Sequence, residues 1–152
     1  METKTSPKRT TALDYAEQQL GAAMSRTELT LVVFEVLLAV GAIGGAAGLL
    51  FGNILGDATE LLPFGSAVLA GIALAVINGL WPLAVAIGAR RRQRWADWGH
   101  LSVGVALMGW IVVQIYYLGP PIHWLQVGYF ALGLGVAGLA SRLLLTRRRS
   151  VE

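Results

Sequence analysis

The sequence predicts an all-α, polytopic membrane protein: an antiparallel bundle of four transmembrane helices with both termini in the cytoplasm. Four apolar stretches are each long enough to cross a bilayer, which takes about 20 helical residues at roughly 1.5 Å each. Of 152 residues, 55% are hydrophobic and 19 are glycine, and the mean hydropathy is +0.62. This composition is typical of membrane proteins rather than soluble ones.

A polar tail, residues 1–28, precedes the first span. Leu13, Ala16, Leu20 and Met24 recur in it at helical spacing, so a short helix on the membrane surface is one interpretation. We favour a partly ordered cytoplasmic tail, because the apolar face is mostly alanine. A cleaved signal peptide is not expected, since the polar region is too long and the apolar run exceeds 7–15 residues.

The four spans and their connections account for the rest of the chain, with residues 29–145 forming the transmembrane domain. The first span is apolar except for Thr30 and Glu35. In the second span Pro82 is expected to kink the helix, because proline lacks an N–H and clashes with the preceding turn. A basic tail follows the last span. The predicted spans are 29–51, 64–89, 98–118 and 122–145, and the tail is 146–152.

Positive charges predict the orientation of the chain. All twelve Lys and Arg residues lie before the first span, between the second and third, or at the C-terminal end. By the positive-inside rule these regions are cytoplasmic, in agreement with four crossings. The clusters are also suited to anionic lipid headgroups, at about 1 kcal/mol per basic residue. The residues given these roles are Arg90, Arg91, Arg92, Arg94, Arg147, Arg148 and Arg149.

Small residues predict where the helices pack, because close approach of backbones drives helix association in lipid. They recur at four-residue spacing in the first, second and fourth spans. We favour packing within one chain over packing between protomers. The glycines assigned to packing are Gly41, Gly44, Gly45, Gly48, Gly71, Gly79 and Gly135.

Glu35 is the most conspicuous ionisable group, since a charge inside the membrane is expensive. It lies six residues into its span, roughly 9 Å from the cytoplasmic end. We expect it to face the bundle rather than lipid. His100 and Ser102 enter from the same side and are its predicted partners, whereas Asn78 lies near mid-membrane.

A polar face is predicted on the third span, where Ser102, Trp110 and Gln114 share one side of the helix with Ala106. Polar groups avoid lipid, so this face should look into the bundle. One interpretation is a hydrogen-bonded contact between helices, worth about 0.6 kcal/mol, and we favour it. The other is a ligand cavity lined by Gln114, Trp110, Gln126 and Asn78.

Several sequence segments resemble a widespread group of small, uncharacterised four-span bacterial membrane proteins. The group has a Phe-Glu pair before a Gly-rich run, then a Trp-Ile-x-x-Gln/Glu motif and a Leu-Gln pair. The resemblance spans about residues 30–140 and implies the topology but no activity. The chain departs from the group at its Gly-Pro-Pro-Ile-His loop. The matching positions are Phe34, Glu35, Gly41, Gly44, Gly45, Trp110, Ile111, Gln114, Leu125 and Gln126.

Two functional hypotheses follow. The favoured one is a non-enzymatic bundle that stabilises, recruits or senses something. The alternative is a small proton-coupled transporter that uses Glu35, an intramembrane carboxylate. Small multidrug-resistance exporters also have four spans and a glutamate before valine, but Glu35-Val36 is the one matching feature and carries only an analogy of fold. A membrane enzyme acting on lipid is a third, weaker reading.

No catalytic set, metal site or cofactor is predicted. The chain has no cysteine, which excludes thiol redox chemistry and cysteine-based metal sites. His100 and His123 are predicted on opposite membrane faces, and no phosphate-binding loop with its lysine is present. The expected partners are the bilayer itself, a second copy of the chain or another membrane protein. Nucleic acid is not expected.

Overall fold

The computed structural model describes residues 24–52, 54, 56–62, 65–122 and 124–149. Within these residues the chain is helical, and four helices are long and apolar enough to cross a membrane. This confirms the predicted fold class at the level of four membrane-length helices. The tail before Met24, for which a partly ordered segment was favoured over a surface helix, lies outside the described residues. The helices are α1 (Arg26–Phe51), α2 (Ala67–Arg90), α3 (Trp95–Leu118) and α4 (Trp124–Arg149).

Side-chain caps determine where the first two helices begin. The Ser25 hydroxyl accepts a hydrogen bond from the N–H of Glu28, whose carboxylate accepts one from the N–H of Ser25. This reciprocal capping box starts α1 three residues before the apolar stretch begins. Ser66 similarly accepts from the N–H of Leu69 and starts α2 at Ala67, later than predicted. A 3-10 turn, Gly56–Leu61, lies between the two helices.

The middle of α2 is a π-helical segment, Ala75–Leu80, immediately before Pro82. Proline has no N–H to donate to the carbonyl four residues earlier, so the α-helical ladder cannot be complete at Asn78. The N–H of Trp81 instead bonds the carbonyl of Val76, five residues back. The irregularity predicted at Pro82 therefore takes the form of a wider helical turn around Asn78.

The core is a cluster of aliphatic side chains contributed by all four helices, while the outward faces of the helices expose large apolar residues. Exposed Leu37, Val40 and Val112 are suited to contact with lipid chains. The core resembles that of a soluble protein, but the outer faces are apolar where those of a soluble helical protein are polar. The core residues are Leu31, Leu38, Val85, Val103, Leu107, Val136 and Leu143.

The closest helix contact lies between α3 and α4. A side-chain carbon at Gly104 would lie 2.7 Å from the backbone nitrogen of Ala137 and 2.8 Å from the carbonyl oxygen of Gly133. A carbon at Gly133 would in turn lie 3.0 Å from the carbonyl oxygen of Gly104. Only glycine at both positions permits this approach.

The predicted packing face of α4 was wrong. Gly135 is exposed, and a side-chain carbon there would meet no atom within 4 Å. Gly44 on α1 is open in the same way. On α4, Gly135 lies on the outward face because Gly133, Val136 and Ala140 form the inward one.

The contact between α1 and α2 involves most of the other glycines assigned to packing. Added carbons at Gly45, Gly71 and Gly79 would lie 3.2, 3.0 and 3.1 Å from side-chain atoms of the facing helix. A side-chain carbon at Gly48 would lie 3.0 Å from the Cδ1 atom of the loop residue Ile54. A side-chain carbon at Gly41 would lie 3.8 Å from the Tyr129 hydroxyl oxygen, an ordinary van der Waals distance.

Candidate functional site

A buried acid–base pair joins α1 to α3. The Oε1 atom of Glu35 and the Nδ1 atom of His100 are 2.6 Å apart, and both residues have 0% exposure. One proton lies between these atoms in the hydrogen bond. Glu35 sits between Leu31 and Leu38, one turn away on either side, and His100 lies one turn from Val103. The pair is therefore embedded in the apolar core.

The second polar atom of each partner has no hydrogen bond. The Oε2 atom of Glu35 and the Nε2 atom of His100 are both buried, and no described residue pairs with either. A buried polar atom without a partner costs about 1–3 kcal/mol. Two of the four nitrogen and oxygen atoms in these side chains are thus without a hydrogen bond among the described residues.

Ser102, the other predicted partner of Glu35, is engaged elsewhere. Its hydroxyl accepts a hydrogen bond from the indole N–H of Trp81 at 3.0 Å and donates one to the carbonyl of Gly99 at 2.7 Å. Trp81 also lies against Trp95, with ring centroids 6.1 Å apart. Ser102 therefore ties α3 to α2.

A cavity of about 340 Å³ lies further along the bundle, between α1, α2, α3 and α4. Such a volume lies within the range of small-molecule sites. Its wall is mostly aliphatic, with polar side chains from three helices. The polar lining residues are Asn78 on α2, Trp110 and Gln114 on α3, and Gln126 and Tyr129 on α4.

Two polar groups in this wall have no hydrogen-bond partner among the described residues. Asn78 is 2% exposed, and its Nδ2 atom is unpartnered. The indole nitrogen Nε1 of Trp110 is buried and unpartnered as well. The π-helical turn places the Asn78 side chain here, as irregular helical turns often do at functional sites. The favoured interpretation of the polar face of α3, a hydrogen-bonded contact between helices, is met at Ser102, which accepts from Trp81 on α2, whereas the indole nitrogen of Trp110 makes no such contact with the described residues.

An apolar layer separates the cavity from the acid–base pair. Leu38 and Leu107 line the cavity and also belong to the core cluster around the pair. Leu38 is three residues beyond Glu35, a rise of roughly 4.5 Å. The acid–base pair and the cavity therefore lie close together, but neither Glu35 nor His100 lines the cavity.

A second cavity, of about 440 Å³, adjoins the first and is lined by α1, α2, α3 and the loop between α1 and α2. Its lining is almost entirely aliphatic. The two cavities share part of their walls. The shared residues are Gly45, Leu74, Trp110, Gln114 and Leu118.

At the opposite end of the bundle a charged cluster links three helices. The guanidinium of Arg147 on α4 donates to both carboxylate oxygens of Asp97 on α3, at 2.7 and 2.5 Å, and to the carboxylate of Glu28 on α1. Sequence reasoning assigned Arg147 to orientation and headgroup contact and overlooked this cluster. Arg90, Arg91, Arg92 and Arg94 are exposed, and the side chains of Arg148 and Arg149 lie outside the described part.

Among the described residues no three His, Asp or Glu side chains lie close enough to hold a metal ion. His123 lies outside the described residues. Comparison with protein-family models, with curated proteins and with solved structures finds no match to this chain.

Proposed function

We propose that this protein is a non-enzymatic integral membrane bundle that binds a small ligand in the cavity lined by Asn78, Trp110, Gln114 and Gln126. The observation that carries the proposal is the unpartnered Asn78 amide, buried in the wall of a cavity large enough for a ligand. An amide in this position lowers the stability of the empty protein. Binding a polar ligand would recover that cost.

The chemistry of the lining supports binding rather than catalysis. Amides, an indole and a phenol line the cavity, and none of these is a strong acid, base or nucleophile at neutral pH. The Glu35–His100 pair does not line it. A recruiting or sensing role fits a site that holds a molecule without converting it.

The proposal includes an antiparallel arrangement in the cell membrane, with both termini cytoplasmic. The contact between Asp97 at the start of α3 and Arg147 near the end of α4 supports antiparallel packing of these helices. The Lys and Arg distribution supports the cytoplasmic side. Kinship with the small four-span bacterial proteins that the sequence resembles belongs to the same proposal.

Native mass spectrometry of the protein extracted from its membrane in lipid nanodiscs tests the binding function. The wild-type protein should retain a molecule of defined mass that Asn78→Leu loses. Val112→Leu, a change on the exposed face of α3, is the matched control and should retain it. Absence of any retained molecule, or equal retention by all three proteins, would contradict the proposal.

A second candidate function is proton-coupled transport, which the buried Glu35–His100 pair favours. Its 2.6 Å hydrogen bond already holds a proton between two side chains that can both exchange one. The unpartnered Oε2 and Nε2 atoms are the positions at which a further proton would enter or leave. This role requires an aqueous route to one of those atoms on each side of the membrane.

A further inference from the structure

The described walls of the two adjoining cavities hold no charged side chain. Of the described residues that line either one, none is Asp, Glu, Lys, Arg or His. A charged ligand would lose its hydration here and gain no opposite charge. The site therefore selects against ions and in favour of uncharged molecules.

The polar part of the first cavity presents hydrogen-bond donors, so a ligand there needs hydrogen-bond acceptors. The Trp110 indole can only donate, and its N–H has no partner among the described residues. The Asn78 amide can present its NH₂ group by rotating about its terminal torsion, which is soft. The carbonyl oxygen of an ester, amide or quinone is such an acceptor.

The second cavity extends the site with an apolar compartment. Trp110, Gln114 and Leu74 form the boundary between the two spaces, so a single molecule can contact both. Beyond that boundary the described lining is aliphatic apart from Tyr117, with Leu49, Leu69 and similar side chains. Such a compartment suits a hydrocarbon chain or ring.

We infer that the ligand is an uncharged, lipid-like molecule whose carbonyl head lies beside Asn78 and Trp110 and whose hydrocarbon part fills the second cavity. This inference rests on the proposed binding function and adds the chemical class of the ligand. The molecule would come from the bilayer, because the groups around the site are those that a membrane lipid or lipophilic cofactor can satisfy.

Thermal unfolding in detergent, with probes that share one long hydrocarbon chain, tests the head preference. Methyl oleate supplies a neutral carbonyl, oleate an anion, oleylamine a cation, and octadecene no polar head. Methyl oleate should raise the melting temperature most. Asn78→Leu and Trp110→Phe should each reduce the methyl oleate shift to that of octadecene, whereas Val112→Leu should keep the wild-type shift.

The outcomes separate this inference from the binding function. A larger shift with oleate or oleylamine, equal shifts with all four probes, or no shift with any of them would overturn the assignment of a neutral lipid-like ligand. The binding function would still stand if native mass spectrometry found a retained molecule that Asn78→Leu loses. Asn78→Leu should also unfold at a higher temperature than wild type without ligand, so loss of the probe effect cannot be ascribed to misfolding.

Discussion

Glu35 and His100, 65 positions apart in the chain, form a 2.6 Å hydrogen bond in the core of the bundle. The contact joins the first helix to the third, and no described residue satisfies the remaining polar atom of either partner. The pair is the principal polar link between α1 and α3. Its effects on stability and on proton movement can be tested separately.

Removing one partner of the pair should be more damaging than removing both. Glu35→Leu leaves both His100 nitrogens without a partner among the described residues, and leaving a buried hydrogen-bonding group unsatisfied costs about 1–3 kcal/mol. His100→Leu should cost a similar amount, whereas the double substitution should recover most of the loss. Reversible unfolding in mixed micelles measures all three. Additive losses in the double variant would show that the two side chains act independently.

Glycines at the α3–α4 contact should differ sharply from those on the outer face of α4. Gly104→Ala places a carbon 2.7 Å from the Ala137 nitrogen, and such overpacking costs about 1–3 kcal/mol. Gly135→Ala meets no atom within 4 Å and should be neutral or stabilising by about 0.5–1 kcal/mol, because alanine favours helix. Melting temperatures in detergent compare the two. Similar losses at both sites would mean that Gly135 also packs, as it would in an oligomer.

The proposed orientation predicts opposite behaviour of the two sets of loops. A reporter enzyme active only outside the cytoplasm should give signal when fused after Asp57 or after Pro120. Fusions after Arg94 or after Glu152 should be silent, because the basic segments remain inside. Immunoblots of each fusion control for expression. The reverse pattern of activity would contradict the orientation.

The sequence was sufficient to predict four membrane-length helices and the pairing of Glu35 with His100 at one level of the bundle. Length and hydropathy indicate each span, and rise per residue brings Glu35 level with His100. The rotation of each helix about its axis, and so the face that it turns toward the core, was not predictable in the same way. Lipid and the bundle core are both apolar, so hydrophobic periodicity does not separate the inner face from the outer one. For this reason Gly135 was assigned to packing instead of Gly133.

Hydrogen bonds and ion pairs between side chains of different helices could not be predicted from the sequence either. Ser102 could pair with Glu35 by depth, yet it faces Trp81 because α3 turns that side toward α2. The positive charge of Arg147 was used to predict the orientation of the chain. No nearby residue indicated that it would pair with Asp97, 50 positions earlier. The capping box at Ser25 and Glu28, by contrast, was present in the sequence as a Ser-x-x-Glu pattern just before the apolar run.

Glu35→Gln distinguishes a structural pair from a proton carrier. The amide retains the size of glutamate and a hydrogen bond to His100 Nδ1, but it cannot exchange a proton with the pair. We expect the variant to fold normally and proton flux into liposomes to match that of empty liposomes for both proteins, as a structural pair requires. Flux is measured with an entrapped pH-sensitive dye, a potassium gradient and valinomycin to balance charge. Val112→Leu, on the exposed face of α3, is the control for reconstitution. Flux present in wild type and in Val112→Leu but absent in Glu35→Gln would instead establish the pair as a proton pathway.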